Sequence, residues 1–345
     1  MSTVVRPYEP AEALLRHHGD RDLAQGLVDL AVNVRPGTPP AWLASRLAAV
    51  DLSRYPNGSA ARAAVAARHG RTEDEVLLTA GAAEAFVLIA RALAPRHAVV
   101  VHPQFTEPEL ALRAAGHGVE RVVLSWPFTL DAAAVPATAD LVVLGNPTNP
   151  TSVLHPAQAL RALARPGRLL VVDEAFADCV PGEPESLAAE GNLAGVIVVR
   201  SLTKMWGLAG LRAGYLLADP GVVATLERVQ PHWAVSAPAL AACAACSADD
   251  AVAEATAWAH SLAHERGHLV GLLAALPGIR VVPDPQASFV LIHIDLDEAH
   301  SALRSKGFAV RSGHTFPGLG PGWLRVAVRD HDTSTAFAAA LKELV

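Results

Sequence analysis

Between residues 75 and 219 the chain repeats one pattern. Short runs of β-branched and aliphatic residues fall at 76–79, 98–101, 119–124, 141–144, 169–172, 196–199 and 213–218, and helix-forming stretches fall between them at 82–93, 108–115 and 156–164. Apart from 119–124, which carries Glu120 and Arg121, the runs are almost wholly apolar. Such runs read as strands buried on both faces. Strands that alternate with helices call for crossover connections, and so for a mainly parallel, doubly wound sheet with helices on both sides: an α/β fold. This fold also says where to look for chemistry, because ligands of such sheets collect beyond the carboxyl ends of the strands.

The flanking sequence reads differently. Residues 1–40 form an arm with a polar, turn-prone cluster, His17-His18-Gly19-Asp20, and a Pro/Gly-rich bend at 36–40. Pro39 and Pro40 suit the first turn of a helix over 41–50. Tyr55-Pro56-Asn57-Gly58 is a turn, Ser59 suits the N-cap of the next helix, and Gly70 suits its end. Beyond Pro220 come Ala/Leu-rich helices at 237–246 and 249–276, then strands at 288–294, 308–311 and 324–328 with helices at 296–306 and 332–344. The expected organisation is an N-terminal arm (1–40) belonging to a small domain, a large domain (41–235), and an interdomain helix plus a small α+β C-terminal domain (236–345).

Composition removes several function classes. A chain of 345 residues that is 51% hydrophobic can bury a large core. The net charge is −6 with scattered basic residues, which gives nucleic acid no footprint. No apolar run approaches the roughly 20 residues of a membrane span, and residues 1–10 have no apolar h-region, so a cytoplasmic protein is expected. The three cysteines, Cys179, Cys243 and Cys246, suit a reducing compartment. The C-x-x-C pair lies in an alanine-rich helical stretch and reads as core. None of the 15 histidines falls in an H-E-x-x-H pattern, so no metal is expected.

The residues that carry chemistry sit at strand ends. After the run 196–199 come Ser201, Thr203, Lys204 and, across a glycine-rich turn, Arg212. Two hydroxyls and an arginine suit an anion, and burial beside cations would free the lysine amine for Schiff-base chemistry. Gly81-Ala82-Ala83 follows a strand and opens a helix, which lets backbone N–H groups approach an anion. Phe105 follows a third strand, where its ring can stack on a flat ligand. Gly145-Asn146-Pro147-Thr148-Asn149-Pro150-Thr151-Ser152 follows a fourth, and its two Asn–Pro turns fix a loop. Asp173 ends a fifth.

Taken together, Asn149, Asp173 and Lys204 in this order resemble the fold-type I pyridoxal-phosphate enzymes of the class I and II aminotransferase superfamily. The N-P-x-N-P-T loop is the most specific sign, although Ser152 stands where a glycine is usual. The resemblance implies pyridoxal 5′-phosphate as cofactor and Lys204 as the lysine that holds it. By the same resemblance, Gly81, Ala82, Ala83, Ser201, Thr203 and Arg212 surround its phosphate, Phe105 stacks on its ring, Asn149 meets its 3′ oxygen, and Asp173 pairs with its ring nitrogen. Many relatives carry a tyrosine where Phe176 stands.

Within the superfamily the chain resembles the branch that holds histidinol-phosphate aminotransferase and threonine-phosphate decarboxylase. That likeness implies Arg325 for a substrate carboxylate, Arg311 and His17 for a substrate phosphate, Asn33 nearby, and Tyr55 reaching the cofactor phosphate of a neighbouring subunit in a homodimer with shared sites. The partner is then a small phosphorylated amino-acid substrate. The His-Gly cluster near the start and the stretch 316–329 favour a lyase that decarboxylates L-threonine O-3-phosphate to (R)-1-amino-2-propanol O-2-phosphate in cobalamin biosynthesis. The alternative is an aminotransferase of the histidinol-phosphate type.

Overall fold

The structure, a computed structural model, describes residues 8–10, 12–189 and 191–345. Two sheets organise it. The larger contains β2 (Val76–Thr79), β3 (Ala98–His102), β4 (Val119–Val123), β5 (Leu141–Gly145), β6 (Leu169–Asp173), β7 (Val196–Ser201) and β8 (Gly214–Ala218), in the order β2-β8-β7-β6-β5-β3-β4. β7, β6, β5, β3 and β4 run parallel, and β8 is antiparallel to both of its neighbours. Apart from the edge strand β4 and Leu169 at the start of β6, these strands are buried along their whole length. One core cluster packs the helices Ser59–Arg68 and Ala237–Cys246 on one face, and a second packs Ala82–Leu93 on the other.

The smaller sheet has the order β1-β11-β12-β10-β9, with β1 (Val28–Leu30), β9 (Ile279–Val281), β10 (Phe289–Ile294), β11 (Phe308–Ser312) and β12 (Trp323–Ala327). β1 pairs parallel with β11, so the N-terminal arm completes a sheet built mostly from C-terminal residues. The helix Asp249–Ala274 joins the two cores. Its Ala251 and Ala255 pack with the large sheet, and its Leu262, Leu269 and Leu273 pack with the small one. Among the described residues no helix is long and apolar enough to cross a membrane.

Local details differ from the sequence reading. Ser59 is the first residue of its helix, not the cap. Gly58 is the N-cap, and the Asn57 side chain accepts from the Ser59 N–H at 3.0 Å. The strands β1 and β9 and the helix Pro220–Glu227 were not anticipated. That helix is capped by Asp219, whose side chain accepts from the Gly221 N–H, with Pro220 opening it. Cys243 and Cys246 are buried and free on the helix Ala237–Cys246, where burial pushes the Cys243 thiol up to about 12.

Candidate active site

The carboxyl ends of the parallel strands converge on a cavity of about 110 Å³. Ala82, Ala83, Phe105, Asn149, Asp173, Phe176, Ser201, Thr203, Lys204 and Arg212 line it. Residues far apart in sequence thus meet because each follows a strand of one sheet.

Lys204 stands in the turn after β7. Burial is the main cause that lowers its amine to about 8, and the guanidiniums of Arg325 and Arg212 add to it. Its Nζ lies 5.8 Å from the centre of the Phe176 ring. Phe176 packs edge-on against Phe289 of β10 at 4.9 Å, so the lysine's neighbour is anchored in the small sheet. Opposite, Asp173 ends β6. It accepts from the Ala175 N–H at 3.1 Å, and burial lifts its carboxyl to about 6 against the pull of that bond and of Lys204.

The anion end is built by the turns after β2 and β7. The Ser201 and Thr203 hydroxyls are 2.8 Å apart. Gly81 adopts φ 77° as the N-cap of the helix Ala82–Leu93, and a Cβ there would come within 2.7 Å of Arg212 Nη2. Glycine is therefore required for the guanidinium to lie across the helix start. Arg212 itself sits at φ 58° and donates to Ala209 O at 2.9 Å.

The asparagine-proline loop connects the two sheets. Arg325 of β12 donates from Nη1 to Asn149 Oδ1 at 2.6 Å. With the Asn33 amide turned so that its oxygen faces the guanidinium, Asn33 accepts from Arg325 Nε and Nη1 at 3.2 and 3.1 Å. Burial, with Arg311 alongside, pulls the Arg325 guanidinium down to about 9. Arg311 and Arg325 are register partners on β11 and β12. Ser152, fully buried, takes the left-handed conformation at φ 63° that a glycine would hold without strain. Its hydroxyl accepts from the Ala287 N–H at 2.7 Å and its carbonyl from the Gln286 N–H at 2.8 Å. The serine thus uses its side chain to tie the loop to the segment that leads into β10.

Six nominated residues do not line the cavity: Gly81 caps the helix beside it, Asn33, Arg311 and Arg325 form an arginine end, and His17 and Tyr55 stand further out. His17 bonds Asp22 at 2.8 Å, and its carbonyl accepts from Arg311 Nη2, so it adjoins the arginine end. Tyr55 is 77% exposed and stacks on the exposed Trp233 at 4.4 Å, away from its own chain's cavity. Residues the sequence reading passed over support the site from behind. Glu174, next to Asp173, accepts from Arg200 at 3.0 Å, Ser186 at 2.6 Å and the Leu187 N–H at 2.8 Å. Arg200, next to Ser201, also pairs with Glu183 at 2.6 Å. Successive side chains of a strand point to opposite faces, so a carboxylate or arginine beside a site residue was the available signal. Asp22, buried against Arg311, was also missed.

The residues fit pyridoxal phosphate. A hydroxyl pair, a glycine-opened helix and an arginine stand at one end, a buried carboxylate and an amide at the other, and a lysine of lowered pKa between them. The profile of the aminotransferase class I and II family matches residues 23–341. A histidinol-phosphate aminotransferase of Mycobacterium tuberculosis is 54% identical over 92% of this chain and 88% of its own. A threonine-phosphate decarboxylase of Salmonella typhimurium is 31% identical over 92% of this chain and 91% of its own. The crystal structure of histidinol-phosphate aminotransferase from Sinorhizobium meliloti in complex with pyridoxal-5′-phosphate superposes with a TM-score of 0.80 at 25% identity, covering 100% of this chain and 98% of that one.

Proposed function

The chain belongs to the aminotransferase class I and II family of pyridoxal-phosphate enzymes, and from that premise we propose that it is an aminotransferase for a phosphorylated amine of the histidinol-phosphate type, with a 2-oxo acid such as 2-oxoglutarate as acceptor. One observation carries the choice. The relative 54% identical is named for that transamination, whereas the decarboxylase stands at 31%. The decarboxylase favoured on the sequence signs around His17 and residues 316–329 gives way to this alternative.

When bound, pyridoxal phosphate supplies an electron sink for negative charge at the substrate carbon. Ser201, Thr203, Arg212 and the amides of Ala82 and Ala83 hold its phosphate. Asp173, a buried carboxyl at the end of β6, would pair with the cofactor's ring nitrogen and favour its protonated form. Asn149, whose Oδ1 accepts from Arg325, would have its Nδ2 left to donate to the cofactor's 3′ oxygen, so that one amide would serve cofactor and proposed substrate arginine together. Phe105, in the cavity lining, would cover a face of the cofactor ring. Lys204 holds the cofactor, then takes a proton from the substrate α-carbon and returns one, roles that a lowered pKa suits. Arg325 grips a carboxylate of the oxo acid and Arg311 a phosphate. Tyr55 completes the cofactor site of a second copy, which makes the working unit a cytoplasmic homodimer. The division into an arm (1–40), a large domain (41–235) and a helix plus small domain (236–345) belongs to the same proposal.

The test is to incubate the holoenzyme with histidinol phosphate, with and without 2-oxoglutarate, and separately with threonine phosphate alone. Glutamate is expected only when amine and oxo acid are both present. Release of CO2 from threonine phosphate without an acceptor would replace this reading by the decarboxylase.

A further inference from the structure

Arg311 and Arg325 are 3% and 6% exposed, adjacent across two strands, and both cationic. A buried pair of like charges needs a counter-ion. The structure supplies one from its own chain. Asp22, 5% exposed, ends the short turn Gly19–Asp22 of the arm and places Oδ2 3.5 Å from Arg311 Nη1. We infer that Asp22 determines how strongly the site prefers a phosphorylated ligand: its carboxylate is a built-in anion that occupies Arg311 until a ligand's phosphate competes for it. The inference rests on the reading of Arg311 as the phosphate arginine.

Three observations support this. The turn is pressed onto the arginine pair, since a Cβ on Gly19 would come within 2.4 Å of Ala31 O and 3.4 Å of Arg325 Nη2. Its backbone is held, because Arg304 Nη1 donates to Asp22 O at 2.6 Å. The carboxylate also has other partners to turn to: His17 Nε2 lies 2.8 Å and His300 Nε2 3.8 Å from Oδ1. At 3.5 Å the contact with Arg311 is longer than a strong charge-assisted bond, so it neutralises the cation without saturating it.

The physical consequence is a tuned grip. A phosphate brought to Arg311 meets a carboxylate on the same guanidinium, and like charges at this range in a buried site repel strongly. Asp22 is the carboxylate in contact with this pair, with Asp20 and Asp29 acting from farther off, so the site keeps a reduced positive charge for the ligand. A transaminase must bind and release two unlike anions at one place, and a permanent countercharge keeps either from binding too tightly to leave.

The experiment is titration of the holoenzyme with inorganic phosphate, followed by the shift in its visible absorbance or by calorimetry. Asp22→Asn keeps the shape and the acceptor for His17 but removes the charge. It should bind phosphate roughly tenfold or more tightly than wild type, and Asp22→Glu, which keeps the charge, should not. The gain should vanish in Asp22→Asn combined with Arg311→Gln. If Asp22→Asn does not load cofactor, Asp22→Ser gives the same comparison. Equal or weaker phosphate binding by the neutral variants overturns the inference and leaves Asp22 as a support for Arg311. The titration needs no turnover, so failure to transaminate histidinol phosphate would end the functional proposal while the phosphate comparison still decides this one.

Discussion

Arg325 reaches across from the small sheet to donate to Asn149 Oδ1 at 2.6 Å, so the asparagine proposed for the cofactor also holds the arginine proposed for the substrate. The two should therefore act as a unit. Asn149→Ala and Arg325→Gln should each lower kcat/KM, and the double variant should lose less than the product of the two, with a coupling of about 1 kcal/mol or more. Strictly multiplicative losses in a double-mutant cycle would show that the contact does not matter to catalysis.

Lys204 gives a pH prediction. Only the neutral amine attacks an aldehyde, and in the fold it loses its proton near about 8 instead of the ordinary 10.5. Capture of pyridoxal phosphate by the apoprotein should rise about tenfold per pH unit below that value and level off above it. Stopped-flow absorbance reads the rate. Borohydride trapping followed by peptide mapping should label Lys204, and Lys204→Ala should show neither capture nor turnover.

Asp173→Asn should leave the fold intact and remove the charge proposed to keep the cofactor's ring nitrogen protonated. Loss of a buried charge partner costs several kcal/mol, so kcat should fall by roughly a hundredfold or more. A loss under about tenfold would exclude the pairing.

Glu174→Gln probes the support behind the site. Arg200 keeps Glu183 at 2.6 Å but loses its buried partner at 3.0 Å. The expected cost is about 3 kcal/mol of stability, read from denaturant unfolding of the holoenzyme. An unchanged midpoint would mean the remaining acids compensate.

The exposed stack of Tyr55 on Trp233 should be covered by a second copy of the chain. Sedimentation should give a dimer at assay concentration, and Tyr55→Phe should weaken cofactor retention without dissociating it. A fully active monomer would refute the shared site.

What was legible followed the hydrophobic period. β2, β3 and β5 to β8 were readable because strands buried on both faces are nearly all aliphatic, β4 by its valines despite Glu120 and Arg121, and the cavity residues were readable because they sit at the ends of such strands or in the turns that follow. β1 and β9 were not. Each has three residues with mixed exposure, and the β1 partners lie at 308–310, far along the chain. Asp22 was missed for the same reason: nothing near it in sequence announces Arg311. The serine at 152 read only as a departure from the glycine usual there, because its partner, Ala287, is brought in by the fold.

That serine has an effect that an ordinary stability screen would overlook. Replacing Ser152 by Gly would relieve a left-handed side-chain residue, worth about 1–2 kcal/mol, and would leave the buried Ala287 N–H without its acceptor, costing about 1–3 kcal/mol. The two nearly cancel, so a melting curve would hardly move. What changes is mechanical coupling: the loop that carries Asn149 would lose a rivet to the sheet that carries Arg325. The mutation would be silent to heat and would show itself as play between cofactor and substrate grips.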